Sequence, residues 1–348
     1  MATTTGVYHT TYRADLALRH TPVEYLRLAL ALALVLALPS LASPFWLTVI
    51  NQIGIAVIGA IGLNILVGYT GQISLGQGGF LAVGAYTAGV VAVKTSASPL
   101  VGLITAVVVT AVVGAFFGLP ALRLKGLYLA IATLAAQQII IWLVTHWEWV
   151  TGGTDAIVLE PVTVFGWTIT GDKQWYWVIA AFAVLATFAA TNLFRTGVGR
   201  AFVAIRDQDI AAQVIGVDPA RYKILAFAVS SAFVGLAGAL TAYWTQIITW
   251  ERFTLDVSIL YLAMIIVGGL GTVSGAIYGA AFMIGVPAYL DQLSLRVSPD
   301  SLLARDLPAI KLLIFGATIV LFLVFEPRGL ARIWQRTKDY FRLWPFRY

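Results

Sequence analysis

The sequence predicts an all-α, polytopic membrane protein with about ten transmembrane helices and both termini in the cytoplasm. Three observations predict it. The 348 residues are 60% hydrophobic and only 11% charged, less than half of the roughly 25% charge typical of a soluble domain. A water-soluble fold of this length cannot hide so many apolar side chains in one or two cores. The apolar residues also fall into discrete charge-free stretches, and the basic residues sort to alternate gaps between them.

Ten such stretches occur, at residues 28–43, 45–67, 78–93, 100–119, 127–145, 176–194, 224–247, 257–273, 275–290 and 312–325. A span consumes about 20 mostly apolar residues, so composition leaves room for at most about ten. Pro39, Pro44, Pro99, Pro120, Pro219 and Pro308 fall at junctions, where a proline breaks no interior helical hydrogen bond. The first stretch reads as an uncleaved signal anchor. Chain organisation follows: a cytoplasmic tail at 1–27, a transmembrane domain at 28–325, and a basic cytoplasmic tail at 326–348. Inside the domain lie an outer loop at 146–175 and a cytoplasmic segment at 195–223.

Orientation comes from the basic residues. With the N-terminus inside, 16 of the 22 fall on the cytoplasmic side, as the positive-inside rule requires. Lys94, Lys173, Arg252, Arg296, Arg305 and Lys311 remain outside. Trp46, Trp142, Trp147, Trp149, Trp167, Trp175, Trp177, Trp244 and Trp250 all map to the outer interface or outer loops, which fits an aromatic belt.

Several function classes drop out on composition. There is no cysteine, and His9, His20 and His146 are far apart, so neither thiolate chemistry nor a histidine metal site is expected. No G-x-x-x-x-G-K-[ST] motif occurs, so the chain binds no nucleotide through a P-loop. None of the ten stretches holds Asp, Glu, Lys or Arg, which argues against proton coupling and against an intramembrane enzyme. No cofactor and no nucleic-acid partner are expected. Uncharged polar residues inside the stretches, Asn51, Gln52, Asn64, Thr133, Gln137, Gln138, Ser230, Ser231, Thr241 and Gln246, read first as glue between helices. Thr133 and Gln137 are four apart and share a helix face.

The Gly68–Phe80 run places five glycines among hydroxyls and glutamines between two apolar stretches. Glycine frees backbone groups that hydrocarbon cannot satisfy, so the run must be covered by protein or line a watery cavity. It is either a broken-helix gate or a packing turn. Asn64, Tyr69, Gln72, Ser74, Gln77, Thr133 and Gln137 are the candidate path residues. A second cluster, Gly268–Gly275, suggests close packing. In the cytoplasmic segment, Asp207 is the expected N-cap and Gly216 the expected stop of a short amphipathic helix. Asp218 should cap the helix that opens at Pro219. The short helix either lies on the inner leaflet or fits a groove in another subunit.

These motifs together resemble the LivM-like branch of permease subunits in bacterial ABC importers for branched-chain amino acids. The resemblance is carried by Gly62-Leu63-Asn64, Gly68-Tyr69-Thr70-Gly71-Gln72-Ile73-Ser74-Leu75-Gly76, Leu122 to Ala130, Thr151-Gly152-Gly153-Thr154, Gly199-Arg200-Ala201 with Ala204-Ile205-Arg206-Asp207, Val267 to Gly271, and Glu326-Pro327-Arg328-Gly329-Leu330. Gln77 stands where the family often has His, and Trp250-Glu251-Arg252-Phe253 departs from a proline-containing stretch. The resemblance implies a ten-helix inner-membrane permease that is not itself an enzyme. Its implied partners are a second, LivH-like permease, two cytoplasmic ATPases, an extracytoplasmic solute-binding protein and membrane lipid. It also implies that Arg200, Arg206, Asp207 and Asp209 couple the chain to an ATPase. Related permeases carry urea or short amides, and a stand-alone channel or sodium-coupled carrier is the expectation from a different class.

Overall fold

The computed structural model describes residues 35–95, 97–164, 167–294 and 329–343, with isolated positions between 313 and 324. Seven helices among these residues are long and apolar enough to span a membrane, and an eighth apolar helix is shorter. They match eight of the ten expected stretches. Of the first stretch, 28–43, residues 35–41 are helical and 28–34 lie outside the described residues, as do most of the last stretch, 312–325, and Pro308.

The spans begin where the sequence provides starts. Helix α1 (Pro44–Asn64) and α3 (Pro99–Phe117) each open on a proline in the first turn, a position whose N–H has no helical partner anyway. Helix α2 covers Gln77–Thr95, α4 covers Leu127–His146 and α5 covers Asp172–Arg195. Two short helices follow, α6 (Gly197–Asp207) and α7 (Asp209–Val214). Helix α8 (Pro219–Thr245) is the longest, and the Asp218 carboxylate caps it by accepting from the Ala220 and Arg221 amides at 2.9 and 3.4 Å. Helices α9 (Leu255–Gly268), α10 (Val273–Ser294) and α11 (Leu330–Leu343) follow.

Helix α1 is buried on every side from Ile55 to Asn64, which marks a helix at the centre of a bundle. Helix α8 packs against α1, α2 and α3, while α1 also meets α5 and the α9–α10 pair. Helices α3, α4 and α5 lie at the periphery and leave Val112, Phe116, Ile131, Trp142, Leu185 and Phe188 exposed. An apolar exterior over a tightly packed interior is what hydrocarbon surroundings select.

Several sequence boundaries shift. The seventh span starts at Pro219 rather than 224, because the Asp218 cap and an ion-paired Lys223 extend the helix past the charge limit. The eighth ends at Gly268 rather than 273, since Gly269 and Gly271 take positive φ of 125° and 72°. Asp207 is the last residue of α6 and Gln208 is the extended residue before α7, because the Asp207 carboxylate is engaged by the neighbouring Arg206 instead of capping. Gly216, with φ of 88°, ends that segment as expected.

At the other end of the bundle, Gly152 and Gly153 adopt left-handed φ of 80° and 71°, which fits the turn expected there. Strand β1 (Ile157–Val158) pairs antiparallel with β4 (Ile247–Ile248), while β2 (Val162–Val164) pairs with β3 (Trp167–Ile169). The 146–175 loop is thus laced to the end of α8. Strands of two or three residues carry no period, so sequence reading missed them.

Candidate functional site

The glycine-rich run is a genuine break. Helix α1 passes into a π-helical turn, Ile65–Tyr69, and residues 71–76 are not helical before α2 begins at Gln77. Most of the expected path residues brace this break. Asn64 Oδ1 accepts from the Gly271 amide at 2.9 Å and its Nδ2 donates to the Thr272 carbonyl at 2.7 Å. The two glycine clusters therefore touch, and a Cβ on Gly68 would run into the Gly271 backbone. Tyr69 stacks on Phe194 with centroids 3.3 Å apart. Thr133 Oγ1 accepts from the Leu75 amide at 2.9 Å, and Gln77 Nε2 donates to the Gly59 carbonyl at 3.0 Å. Ser74 Oγ accepts from the Gly76 amide at 3.3 Å.

Gln137 anchors the start of α2 through a relay. The Gly78 amide donates to Ser258 Oγ at 2.8 Å, Ser258 donates to Gln137 Oε1 at 2.7 Å, and Gln137 Nε2 donates to the Phe253 carbonyl at 3.2 Å. All of these groups are buried. Sequence reading placed Thr133 and Gln137 on one face correctly but missed Ser258, whose partners lie far away in the chain. Substituting Gln137→Leu leaves the Ser258 hydroxyl and the Phe253 carbonyl without their partner, at about 1–3 kcal/mol for each unsatisfied group. The expected result is a clear fall in thermal midpoint, read by fluorescence-detected unfolding in detergent, with Gln137→Glu or Gln137→Asn less damaging.

Gln72 differs from these. Its Nε2 donates to Thr70 Oγ1 at 3.0 Å, but its buried Oε1 has no hydrogen-bond partner among the described residues. It lines a basin of about 290 Å³ with Thr70, Gly71, Lys125, Arg206, Asp209 and Lys223. Here the two expected sites meet. Arg206 Nη1 donates to the Gly68 carbonyl at 3.0 Å while its Nε donates to Asp207 at 3.1 Å. Gly71, at φ of 69°, faces the Arg206 side chain, and an added Cβ would sit 3.1 Å from Arg206 Cγ.

Asp209 is held by Lys125 at 2.5 Å and Lys223 at 3.5 Å. The Lys125 hydrogen bond, reinforced by Lys223, holds the Asp209 carboxyl below its ordinary value. A depressed folded-state pKa stabilises α7 at and above the ordinary Asp value near 4 and ceases to do so as pH falls through the lowered value. Asp209→Asn should accelerate amide exchange in α7 at neutral pH, after correction for intrinsic rates. The unmodified chain should approach that behaviour only at acid pH. Arg200 stands apart from this cluster, donating to the Arg195 carbonyl at 3.3 Å. Ile210, Val214 and Ile215 protrude, at 69%, 83% and 74% exposure.

A larger cavity of about 510 Å³ opens between α1, α2, α8, α9 and α10 toward the opposite end. Gln52, Thr241, Thr245 and Arg252 contribute polar lining, and Ile55, Leu260, Met264 and Ile284 are among its apolar walls. Trp244 also lines it, with its indole N–H donated to Asp172 Oδ1 at 3.2 Å, and Thr48 donates to the other carboxylate oxygen at 2.6 Å. Gln52 and Thr241 were legible only as glue. Asn51, which donates to the Asp172 carbonyl at 3.0 Å, and Ser230, which donates to the Gly62 carbonyl at 2.7 Å, are glue. The departure at Trp250–Phe253 was the available signal for Arg252.

Residues 45–323 match the family model described as the branched-chain amino acid transport system permease component. The high-affinity branched-chain amino acid transport system permease protein LivM of Salmonella typhimurium is 32% identical over 339 residues, covering 89% of this chain and 75% of that protein. Its Escherichia coli counterpart is 31% identical over 334 residues, with the same coverage. A probable branched-chain amino acid transport permease protein LivH of Methanocaldococcus jannaschii is 28% identical over 240 residues, covering 65% of this chain and 74% of that protein. No solved structure matches the chain significantly.

Proposed function

Because this chain belongs to the family of branched-chain amino acid transport permeases, we propose that it is the LivM-type half of an ATP-driven importer, moving branched-chain amino acids across the membrane. It is a multi-pass inner-membrane permease, and both apolar helices and family membership support that placement. Its partners in this reading are a LivH-like permease, two cytoplasmic ATPases and an extracytoplasmic solute-binding protein. The 1–27 and 326–348 tails and helices α6–α7 face the cytoplasm, and the 146–175 loop faces outward.

The observation that carries the mechanism is the Arg206 bond to the Gly68 carbonyl. It connects the segment exposing Ile210, Val214 and Ile215, suited to a groove in an ATPase, to the glycine-rich break between α1 and α2. In this reading Arg206 and Asp209 couple through their contacts within the chain, while Arg200 and Asp207 remain available to the ATPase. The outer cavity admits the solute and the break gates its exit. Gln72 Oε1, Tyr69 and Ser74 border that exit, and Asn64, Gln77, Thr133 and Gln137 set its geometry.

The test is reconstitution in proteoliposomes with both ATPases, the second permease and the binding protein. Uptake of leucine, isoleucine or valine should require ATP and the loaded binding protein. Uptake that persists without ATPases, or that follows a sodium gradient, would overturn the proposal in favour of a carrier or channel. ATP-dependent uptake of urea or a short amide alone would replace the solute.

A further inference from the structure

We infer that Arg252 is the carboxylate-binding residue of the outer cavity, so that this permease itself reads the acid group of its solute. The inference rests on the import reading above and deepens it. Among the described residues lining the cavity, Arg252 is the only charged one. Its neighbours divide into a polar set, Gln52, Thr241 and Thr245, and aliphatic walls such as Leu260 and Ile284. A small solute with an anionic head and a branched aliphatic tail matches both halves. Neither urea nor a short amide needs the charge.

Arg252 is set apart from the other cations of the two sites. Lys125, Lys223 and Arg206 all pair with carboxylates, whereas Arg252 forms no ion pair among the described residues. It is exposed. The turn that carries it, Trp250–Phe253, is pinned by the buried Phe253 ring and by the Gln137 bond to the Phe253 carbonyl. A guanidinium placed this way offers a planar fork matched to a carboxylate. The hydroxyls of Thr241 and Thr245 donate to the Ala237 and Thr241 carbonyls at 2.8 and 2.9 Å, which leaves their oxygens to accept from an ammonium group.

The test compares Arg252→Gln and Arg252→Lys with the unmodified chain in the complete assembly. At saturating loaded binding protein, Arg252→Gln should lower leucine uptake about tenfold while stimulated ATP hydrolysis changes less than about twofold. Arg252→Lys should fall between. Unchanged uptake would overturn the assignment. An equal fall in uptake and ATP hydrolysis would also overturn it, placing Arg252 against a carboxylate of the binding protein instead.

A second measurement depends on no transported solute. The chain has no cysteine, so Thr241→Cys introduces a single thiol into the cavity. Isovalerate should slow its labelling by a water-soluble thiol reagent, and isovaleramide, which differs only in the acid group, should not. Adding Arg252→Gln should abolish the difference. Equal protection by both compounds would overturn the inference. Isovalerate protection in an assembly that takes up no branched-chain amino acid would uphold it while removing the import reading beneath it.

Discussion

Arg206→Glu should reduce solute uptake by at least about tenfold, because it strikes a side chain that joins the cytoplasmic helices to the membrane break. The guanidinium lies between the Gly68 carbonyl and the Asp207 carboxylate. A carbonyl at the end of a broken helix has no intrahelical donor, and Arg206 supplies one from α6. Glutamate removes that donor and sets an anion against two acceptors. The spans are untouched, so the variant should still insert and purify with normal elution. The expected signature is ATP hydrolysis that no longer responds to loaded binding protein, with Arg206→Lys recovering part of the response. Normal uptake would remove the Arg206–Gly68 contact from the mechanism.

That contact also marks where the sequence stops being informative. Residues 68–80 announce a break through their glycines, and 195–223 announce a cytoplasmic segment through their charges, since both signals are local. That the two segments touch is set by how α5 and α6 fold back against the π-helical turn, 138 positions away in the chain. Asn64 and Gln137 are similar cases. A polar residue in an apolar helix signals a partner, but the Gly271 amide and the Ser258 hydroxyl are chosen by packing. Local starts and stops, such as Pro44, Pro99, Asp218 and Gly216, are legible because each acts on its own backbone. The outer cavity is illegible for the opposite reason: five helices contribute to it, none with a distinctive run.

The contacts between spans lead to the second large effect, at Gly84. No hydrophobic force drives one apolar helix against another in lipid, so association depends on close backbone approach through small residues. Helix α8 achieves this on several sides. Gly84 of α2 lies directly against the Gly235 backbone, and a Cβ on Gly235 would in turn meet Thr110 and the Ala106 carbonyl of α3. Gly238 abuts Leu81, and Gly62 of α1 abuts Ser230. Gly84→Leu places four carbons where backbone already sits. Overpacking of a core costs about 1–3 kcal/mol and occasionally more, and here no flexible side chain can give way. The variant should therefore lose its monodisperse peak in size-exclusion chromatography, with Gly84→Ala intermediate. Gly285→Leu supplies the control, since that glycine also lies within a helix but has nothing within 4 Å of an added Cβ among the described residues. Leucine favours helix over glycine by roughly 0.8 kcal/mol, so the Gly285 variant should elute and melt no worse than the unmodified chain. If both variants behaved alike, helix propensity or membrane insertion would govern the outcome, and the α2–α8 seam would not be what holds the bundle around the outer cavity.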